Sequence, residues 1–450
     1  MNYDTIAAVS TPYGRGGISI IRISGDRAVE IADKVFASKS GKRLADAQNR
    51  TINYGHIFSE GNMIDEVLVS VMRAPRTFTG EDVVEINCHG GLYVTKAVLA
   101  AVFKAGARPA EGGEFTKRAF LNGRIDLTYA QSVMDMINAK NELQHKLALN
   151  HLNGRLAERI RDIRTQITDI AAYIQGTIDF PEELEEADDG KILSDINNVT
   201  KAIGKLIENA DRGIIAKEGI STVIVGKPNV GKSSLLNLLA DCDRAIVTDI
   251  PGTTRDSIEE VVSLGNLILR LTDTAGIRTT DDTVESIGVQ RAKALAENAE
   301  LILFVVDISK PTDNDDMQIY ELVKGKNTVI IANKSDIAEG CVLPFEGDTV
   351  KLCAKDGTGL DALIDTVEKK FMGEADLYNS DTVITGEREK NALCNALSLL
   401  QSAAKTVEGL SPDMAIDDIL SAAECLNLID GIHISDDIIN TVFETYCVGK

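Results

Sequence analysis

The residues best suited to chemistry lie in one short stretch, GKPNVGKS, which runs from Gly226 to Ser233. It follows an apolar, strand-like run and opens a helix-like one, which is the context in which G-x-x-x-x-G-K-[ST] binds phosphates. The glycines let backbone N–H groups close around phosphate oxygens. Lys232 can reach the β- and γ-phosphates, and the Ser233 hydroxyl can hold Mg²⁺. The stretch therefore predicts a nucleoside triphosphate site.

Two further elements fit the γ-phosphate and its metal ion. The segment TDIPGTTRD, residues 248–256, offers a threonine that completes the Mg²⁺ shell, and we assign this role to Thr254. The segment DTAG follows the apolar run LILRLTD, which places Asp273 behind the metal and the Gly276 N–H near the γ-phosphate. Both elements follow the phosphate loop in the order that a GTPase requires.

The last two elements predict which base is bound. NKSD ends the strand-like run NTVIIAN, and its Asp336 can accept both guanine N–H donors, a pairing that adenine cannot make. CAK, residues 353–355, fills the loop beside the base, where a small side chain suffices because the backbone makes the contact. The nucleotide is therefore predicted to be GTP. The predicted GTP-binding residues are Asn229, Val230, Gly231, Lys232, Ser233, Ser234, Thr248, Asp249, Ile250, Pro251, Gly252, Thr253, Thr254, Asp273, Thr274, Ala275, Gly276, Asn333, Lys334, Asp336, Cys353, Ala354 and Lys355.

One absence bears on hydrolysis. Many small GTPases orient the attacking water with a glutamine just after the DxxG glycine, but this position is Ile277, which cannot form hydrogen bonds through its side chain. Asn229 in the phosphate loop and Glu285 in TTDDTVESIG are the two nearby candidates. The alternative is that Asn229 only shapes the loop and that Glu285 is a surface carboxylate.

The composition predicts a multidomain protein of the reducing cytoplasm. With 450 residues the chain is too long for one ordinary core. Its seven cysteines form no CxxC pair, so neither a disulfide framework nor a zinc site is expected. Neither a membrane span nor a signal peptide is expected from the apolar runs. The net charge of −22 gives no bulk attraction to nucleic acid, so RNA contact would need a local patch or a partner.

The elements that must position these motifs change in style along the chain. Residues 1–118 show strand-like runs and one helical run, Leu92–Ala105, which indicates mixed α/β structure. Helical periodicity then dominates to about residue 211, with isoleucines on one face. Strand–helix alternation runs from about 220 to 372, and helices return to residue 450. An α/β module between helical segments suggests an insertion. We predict domains at 1–118, 119–214, 215–375 and 376–450, the second and fourth being parts of one helical domain.

These motifs, together with both ends of the chain, resemble the MnmE (TrmE) family of tRNA-modification GTPases. The resemblance covers the whole chain. It rests on TPYGRGGISIIRISG, FTGEDVVEINCHGG, GEFTKRAFLNGRIDL, the five GTPase elements and the terminal CVGK. It implies an α+β, folate-binding and dimerising amino-terminal domain, a helical domain, and a Ras-like P-loop GTPase domain inserted into the helical one.

The resemblance also implies how the sites work. Potassium would activate hydrolysis, held by Asn229 with oxygens from Thr248, Ile250 and Thr253, while two GTPase domains meet across the ion. Glu285 falls on the family's water-positioning glutamate. A reduced folate, in its 5,10-methylene or formyl form, would bind Arg22, Glu85, Arg124 and Lys450, since arginines suit its carboxylates and a carboxylate suits the pterin N–H groups.

The terminal CVGK places a cysteine four residues from the end, as a prenylation box does. Gly449 and Lys450 fit that box poorly, and no basic run precedes it. The resemblance instead brings Cys447 toward the folate cavity. There it could act as a nucleophile or an acid/base if a cation such as Lys450 lowered its pKa. The alternative is a cysteine that only packs. The predicted catalytic residues are Glu285, Lys232 and Cys447.

The resemblance implies a homodimeric, potassium-activated GTPase that helps to add an aminomethyl or carboxymethylaminomethyl group to carbon five of the wobble uridine in certain tRNAs, with a reduced folate as the one-carbon source. By resemblance its partner is MnmG, which uses flavin and NADH, and the partner would supply much of the basic tRNA-binding surface. One alternative is a ribosome-assembly or translation-linked GTPase switch, which would lack folate binding. Another is a signalling or structural GTPase that acts through protein partners alone and has no effect on tRNA.

Overall fold

The structure is a computed structural model. It describes residues 4–180, 187–242, 260–271, 297, 299–338, 343–373, 377, 380–432, 436–444, 446, 448 and 449. The chain divides into two compact units. Unit 1 joins Met1–Met134 with Asn427–Lys450, and unit 2 is Asp135–Leu426. The domain boundaries predicted within these units stay predictions.

Unit 1 is built on a seven-stranded sheet with the order β3-β4-β5-β6-β2-β1-β7. Neighbouring strands are antiparallel, except that β1 and β7 are parallel. Aliphatic side chains of one sheet face pack under the helices Ala28–Val35 and Leu92–Ala105. The strands are β1 Ile6–Val9, β2 Ile18–Ser24, β3 Phe36–Ser38, β4 Thr51–Ser59, β5 Asn62–Met72, β6 Val83–His89 and β7 Arg108–Pro109.

The remaining helices of this part of the chain lie in the sequence after β7 and at the carboxyl terminus. Phe443 and Tyr446 pack with Leu127 and Ala130, so residues from the two ends of the sequence share one small core. The helices are Glu114–Leu121, Leu127–Asn138 and Asp436–Glu444, and a 3₁₀ turn spans Leu44–Asp46.

Unit 2 contains a six-stranded sheet with the order β13-β12-β11-β8-β10-β9. All neighbours are parallel except β9 and β10, which form an antiparallel hairpin. The central strands are buried on both faces, as expected for a parallel sheet covered by helices. The strands are β8 Ile220–Val225, β9 Glu260–Leu264, β10 Leu267–Leu271, β11 Leu301–Asp307, β12 Thr328–Asn333 and β13 Asp348–Leu352.

Long helices flank this sheet in the sequence. In Arg155–Asp179 the predicted stripe of isoleucines is buried, which confirms the periodicity argument. Among the described residues, no helix combines the length and the apolar character needed to cross a membrane. The helices are Glu142–Leu152, Arg155–Asp179, Asp189–Glu208, Ala210–Glu218, Lys232–Cys242, Asn314–Val323, Leu360–Met372, Glu387–Gly409 and Ile416–Asp430, with a 3₁₀ turn at Pro412–Ala415.

Candidate functional site

The phosphate loop of unit 2 lies at the carboxyl end of β8, where ligands of parallel sheets bind. At two positions of this loop only glycine fits, because a side chain would be too close to neighbouring atoms. A Cβ on Gly226 would lie 2.4 Å from Val305 O, and one on Gly231 would lie 2.1 Å from Asn333 Nδ2. Both residues also have positive φ angles, of 151° and 103°. The loop therefore packs against the ends of β11 and β12 and presents its backbone to the predicted phosphates.

Lys232 is the first residue of the helix that follows this loop. Its Nζ donates to Gly226 O at 2.7 Å and to Lys227 O at 2.6 Å. Burial lowers the pKa of Lys232 to about 8. A phosphate group beside Lys232 would favour the charged form of its ammonium group. The buried lysine is therefore stabilised when an anion binds at the predicted phosphate position.

Asn333 links the phosphate loop to the base loop. Its buried side chain donates from Nδ2 to Val230 O at 2.8 Å, and its Oδ1 accepts from Ala354 N at 3.0 Å. Lys334 adds a second link, since its Nζ lies 2.6 Å from Asp307 Oδ2 and 3.3 Å from Asn229 O. The predicted NKSD and CAK elements and the phosphate loop thus meet at one edge of the sheet.

The base loop itself is a tight turn after β13. Cys353 is buried, its N–H donates to Thr358 O at 2.8 Å, and its carbonyl accepts from Gly357 N at 2.9 Å. These two bonds fix the backbone of the turn, and the Cys353 side chain is buried within it. Asp336 lies on the neighbouring turn after β12.

Sequence reasoning missed one ion pair that holds the phosphate loop. Lys227 Nζ lies 2.6 Å from Asp313 Oδ2 and 2.7 Å from Asp316 Oδ2. Asp313 caps the helix Asn314–Val323 and forms a capping box with Asp316. The D-x-x-D spacing at the start of a helical run predicts the capping box, but it does not indicate that Lys227 pairs with these aspartates.

Part of the predicted site lies outside the described residues. This holds for the predicted Mg²⁺ ligand Thr254, the K⁺ ligands Thr248, Ile250 and Thr253, the residues Asp249, Pro251 and Gly252, the DTAG residues Asp273, Thr274, Ala275 and Gly276, and also Glu285, Cys447 and Lys450. Within the described residues, no group of three or more His, Cys, Asp or Glu side chains is placed to hold a metal ion. This does not bear on Ser233 and Asn229, the described candidates for Mg²⁺ and K⁺, which are not residues of those types.

Unit 1 brings together two of the predicted folate residues. Arg22 on β2 and Glu85 on β6 are directly opposite in the antiparallel register. Arg22 donates from Nε and Nη2 to Glu85 Oε1, both at 2.9 Å. The guanidinium carbon lies 5.5 Å and 5.7 Å from the ring centres of Phe78 and Phe115. The pair is partly buried beside two aromatic rings, which suits a flat, polar ligand.

The third described folate residue, Arg124, makes no direct hydrogen bond to Arg22 or Glu85 among the described residues. Its Nε donates to Thr77 O at 3.3 Å, one residue before Phe78. The structure instead adds two residues that the sequence did not suggest. Gly449 O accepts from Ser10 Oγ at 3.0 Å and from Arg22 Nη1 at 3.3 Å.

The parallel sheet, the glycine-dependent phosphate loop and the NKSD and CAK loops at its edge define a P-loop GTPase. Comparison with known proteins extends this result to the whole chain. The model "GTP-binding protein TrmE N-terminus" matches residues 5–124, and the model "MnmE helical domain" matches residues 127–447. The chain belongs to the MnmE (TrmE) family, as its motifs predicted.

The curated relatives agree over their full length. A protein of Lachnoclostridium phytofermentans named tRNA modification GTPase MnmE is 45% identical over 100% of both chains. Its namesake in Clostridioides difficile is 43% identical over 99% of both chains. Among solved structures, the G domain of the T. maritima FeoB iron transporter is 20% identical and covers 34% of this chain and 98% of its own, with a TM-score of 0.24. A TM-score this low supports no conclusion. The predicted class, a multidomain protein with α/β and all-α parts, is confirmed.

Proposed function

We propose that this chain is a GTPase whose hydrolysis of GTP serves the modification of carbon five of the wobble uridine in certain tRNAs. The observation that carries the proposal is the match over the full length to proteins named tRNA modification GTPase, which includes the parts outside the GTPase module. Those parts contain the Arg22–Glu85 pair and the docked tail, which GTP hydrolysis alone would not require.

In unit 2 the chain's own residues bind and orient the nucleotide. The backbone of the phosphate loop, shaped by Gly226 and Gly231, surrounds the phosphates, and Lys232 offsets their charge. Ser233, at the start of the helix, would hold Mg²⁺, which neutralises the charge that develops on the phosphates. Asp336 would select guanine.

Potassium would act in the same loop. Asn229 has a positive φ of 63°, and its carbonyl lies 3.3 Å from Lys334 Nζ. These features fix the backbone of the loop at the residue whose amide side chain would bind the potassium ion. An amide oxygen is a suitable ligand for a monovalent cation. We therefore expect hydrolysis in K⁺ to exceed hydrolysis in Na⁺ by roughly 10²-fold, and expect Asn229→Ala to remove the difference.

In unit 1 the Arg22–Glu85 pair would bind a reduced folate that supplies the one-carbon unit. Glu85 can accept two N–H donors of the pterin ring while Phe78 and Phe115 border the arginine. Arg124 and Lys450 would add positive charge for the carboxylates of the ligand. Glu85→Gln is expected to weaken binding of 5-formyltetrahydrofolate, measured by isothermal titration calorimetry, without changing GTP affinity.

A homodimer is supported by exposed apolar side chains on the sheet face of unit 1 that lies opposite the helices Ala28–Val35 and Leu92–Ala105. Tyr54, Leu68, Asn87 and Ile20 form one row across β4, β5, β6 and β2 on the face opposite the helices. Ile18 and Ile52 on that face are 66% and 68% exposed. Exposed apolar side chains on this part of the face favour burial against a second copy of the chain. The flavoprotein MnmG and the tRNA would complete the assembly. The partner would provide much of the basic surface, because a net charge of −22 gives this chain no bulk attraction to RNA.

Mass spectrometry of nucleosides from bulk tRNA tests this function. Cells that lack the chain should lose the wobble modification, and the wild-type chain should restore it. Asp336→Asn and Glu285→Ala should not restore it, while the surface control Asp315→Asn should. An unchanged nucleoside profile together with accumulated ribosomal precursors would instead indicate a ribosome-assembly switch.

A further inference from the structure

The carboxyl-terminal tail is held in place within unit 1 through three described residues, Tyr446, Val448 and Gly449. Tyr446 packs on Phe443 with their ring centres 5.1 Å apart, and Val448 forms an antiparallel bridge with Gly112. Gly449 O then accepts the hydrogen bonds from Ser10 and Arg22. The contact between Ser10 and Gly449 joins residues that are 439 positions apart in the sequence, so the tail has a specific binding place.

Glycines on both sides make this close approach possible. Gly449 has a φ of 98°, and a Cβ there would lie 2.2 Å from Val9 O. On the receiving side, a Cβ on Gly112 would lie 2.9 Å from Tyr446 O, and one on Gly113 would lie 2.6 Å from Phe443 O. Real Cβ atoms do not approach other atoms so closely, so larger residues at these positions would displace the tail.

Arg22 has a double role in this arrangement. Its Nε and Nη2 donate to Glu85, while Nη1 donates to the tail carbonyl of Gly449. A guanidinium has five donors in a rigid plane, so fixing two of them on Glu85 also fixes the direction of the third. Glu85 thereby aligns the arginine for the tail.

We propose that Ser10 and Gly449 are positioning residues that dock the tail against the Arg22–Glu85 pair for the one-carbon step. This inference rests on the proposed function, because the same tail carries Cys447 and Lys450, which lie outside the described residues. Arg22 holds the tail and would also bind the folate, so substitution of Arg22 would both release the tail and weaken folate binding. Ser10 and Gly449 separate these two roles, since neither has a side chain suited to binding folate carboxylates.

Hydrogen exchange of the full-length chain, followed by mass spectrometry, measures docking of the tail directly. Gly449→Ala should increase the exchange rate of the carboxyl-terminal peptide by about 10- to 100-fold because the alanine is strained. Ser10→Ala should increase it by about 3- to 10-fold, and Ser10→Thr, which keeps the hydroxyl, should restore the wild-type rate. Gly409→Ala, at a helix end with open space around it, and Ser59→Ala are the matched controls.

The same variants then complement cells that lack the chain. Both Ser10→Ala and Gly449→Ala should reduce the wobble modification in proportion to tail release while GTP hydrolysis stays at the wild-type rate. Wild-type exchange in both variants would overturn the dock and leave the proposed function intact. If the tail is released in these variants but the wobble modification of the tRNA remains complete, the positioning role is wrong. Full modification by Asp336→Asn would instead contradict the proposed function, whatever the tail does.

Discussion

The nucleotide site of unit 2 and the Arg22–Glu85 site of unit 1 are built in different ways. In unit 2 three loops form the described part of the site, and they follow the parallel strands β8, β12 and β13 of one sheet. In unit 1 an arginine of β2 pairs with a glutamate of β6, and the arginine also donates to a carbonyl of the tail. The first kind of site leaves contiguous motifs in the sequence, whereas the second leaves single residues that are far apart.

The charges of the two sites differ as well. Lys232 donates only to neutral carbonyls among the described residues, and burial lowers its pKa to about 8. Arg22 is already paired with Glu85. In unit 2 a bound anion therefore stabilises the buried ammonium of Lys232. In unit 1 a ligand must share Arg22 and Glu85, which already pair with each other. We expect substitutions at the nucleotide site to have the larger effects on ligand affinity.

The largest effect is expected for Asp336→Asn. The change removes two charge-assisted hydrogen bonds to guanine, which should weaken GTP binding roughly 10²- to 10⁴-fold. The amide can instead pair with xanthine, so the variant should bind xanthosine triphosphate better than the wild type does. Competition with a fluorescent nucleotide measures both affinities. Equal GTP affinity in variant and wild type would show that NKSD does not read the base.

The buried ion cluster of unit 1 comes next. Arg118 is 2% exposed and pairs with Glu81 at 3.2 Å and Glu114 at 3.0 Å. Arg118→Leu removes the ion-pair partner of Glu81, whereas Glu114 keeps its pair with Arg108 at 2.6 Å. The change should destabilise unit 1 by about 3–5 kcal/mol. Hydrogen exchange of β2 and β6 in increasing urea measures this loss.

The control for the cluster is a pair on the surface of the same unit. Arg27 and Glu30 are both at least half exposed, so water screens their attraction and Arg27→Leu should leave the stability of unit 1 nearly unchanged. A similar loss from both substitutions would mean that burial does not set the strength of the cluster.

A smaller effect is expected from Gly231→Ala in unit 2. The alanine would have a φ near 103° and a Cβ 2.1 Å from Asn333 Nδ2. Strain of about 1–3 kcal/mol should weaken nucleotide binding roughly 10- to 100-fold by moving Asn333 and the phosphate loop apart. Gly409→Ala, with open space around it, should bind nucleotide like the wild type.

The smallest effect concerns pH. Burial lowers the pKa of His151, and its Nε2 lies 2.7 Å from Val383 O in unit 2. Because the unfolded chain binds the proton more tightly, unit 2 should lose stability as pH falls below about 6.5, by at most ~1.4 kcal/mol per pH unit. Urea unfolding at pH 7.5 and pH 5.5 measures the slope. His151→Gln should reduce this slope, and an unchanged slope would exclude His151 as its source.

The contrast between the units also explains what the sequence could predict. Leu92–Ala105 and the isoleucine face of Arg155–Asp179 follow from periodicity, and the phosphate loop follows from its motif. Strand β4 was not predicted, because the usual inward apolar and outward polar pattern is reversed in its first half, before the buried Ile57. Gly55 faces the core, where a Cβ would lie 2.6 Å from the Phe36 ring, and Ile52 faces outward.

Long-range pairings were also beyond the sequence. Arg22 and Glu85 could be assigned only through resemblance, because their pairing depends on the register of β2 and β6. No local sequence pattern indicates the contact between Ser10 and Gly449, because serine and glycine are common residues and these two lie near opposite ends of the sequence. Predicting such sites requires the sheet order and the path of the tail.

A reconstituted modification reaction with Asp336→Asn tests the central claim most directly. The reaction contains the flavoprotein partner, a reduced folate, NADH, an amino donor and unmodified tRNA, and the wobble nucleoside is measured by mass spectrometry. If hydrolysis by this chain drives modification, the variant will modify tRNA with xanthosine triphosphate and not with GTP, while the wild type shows the opposite preference. Modification by the variant at the same rate with either nucleotide, or with none, would contradict the account.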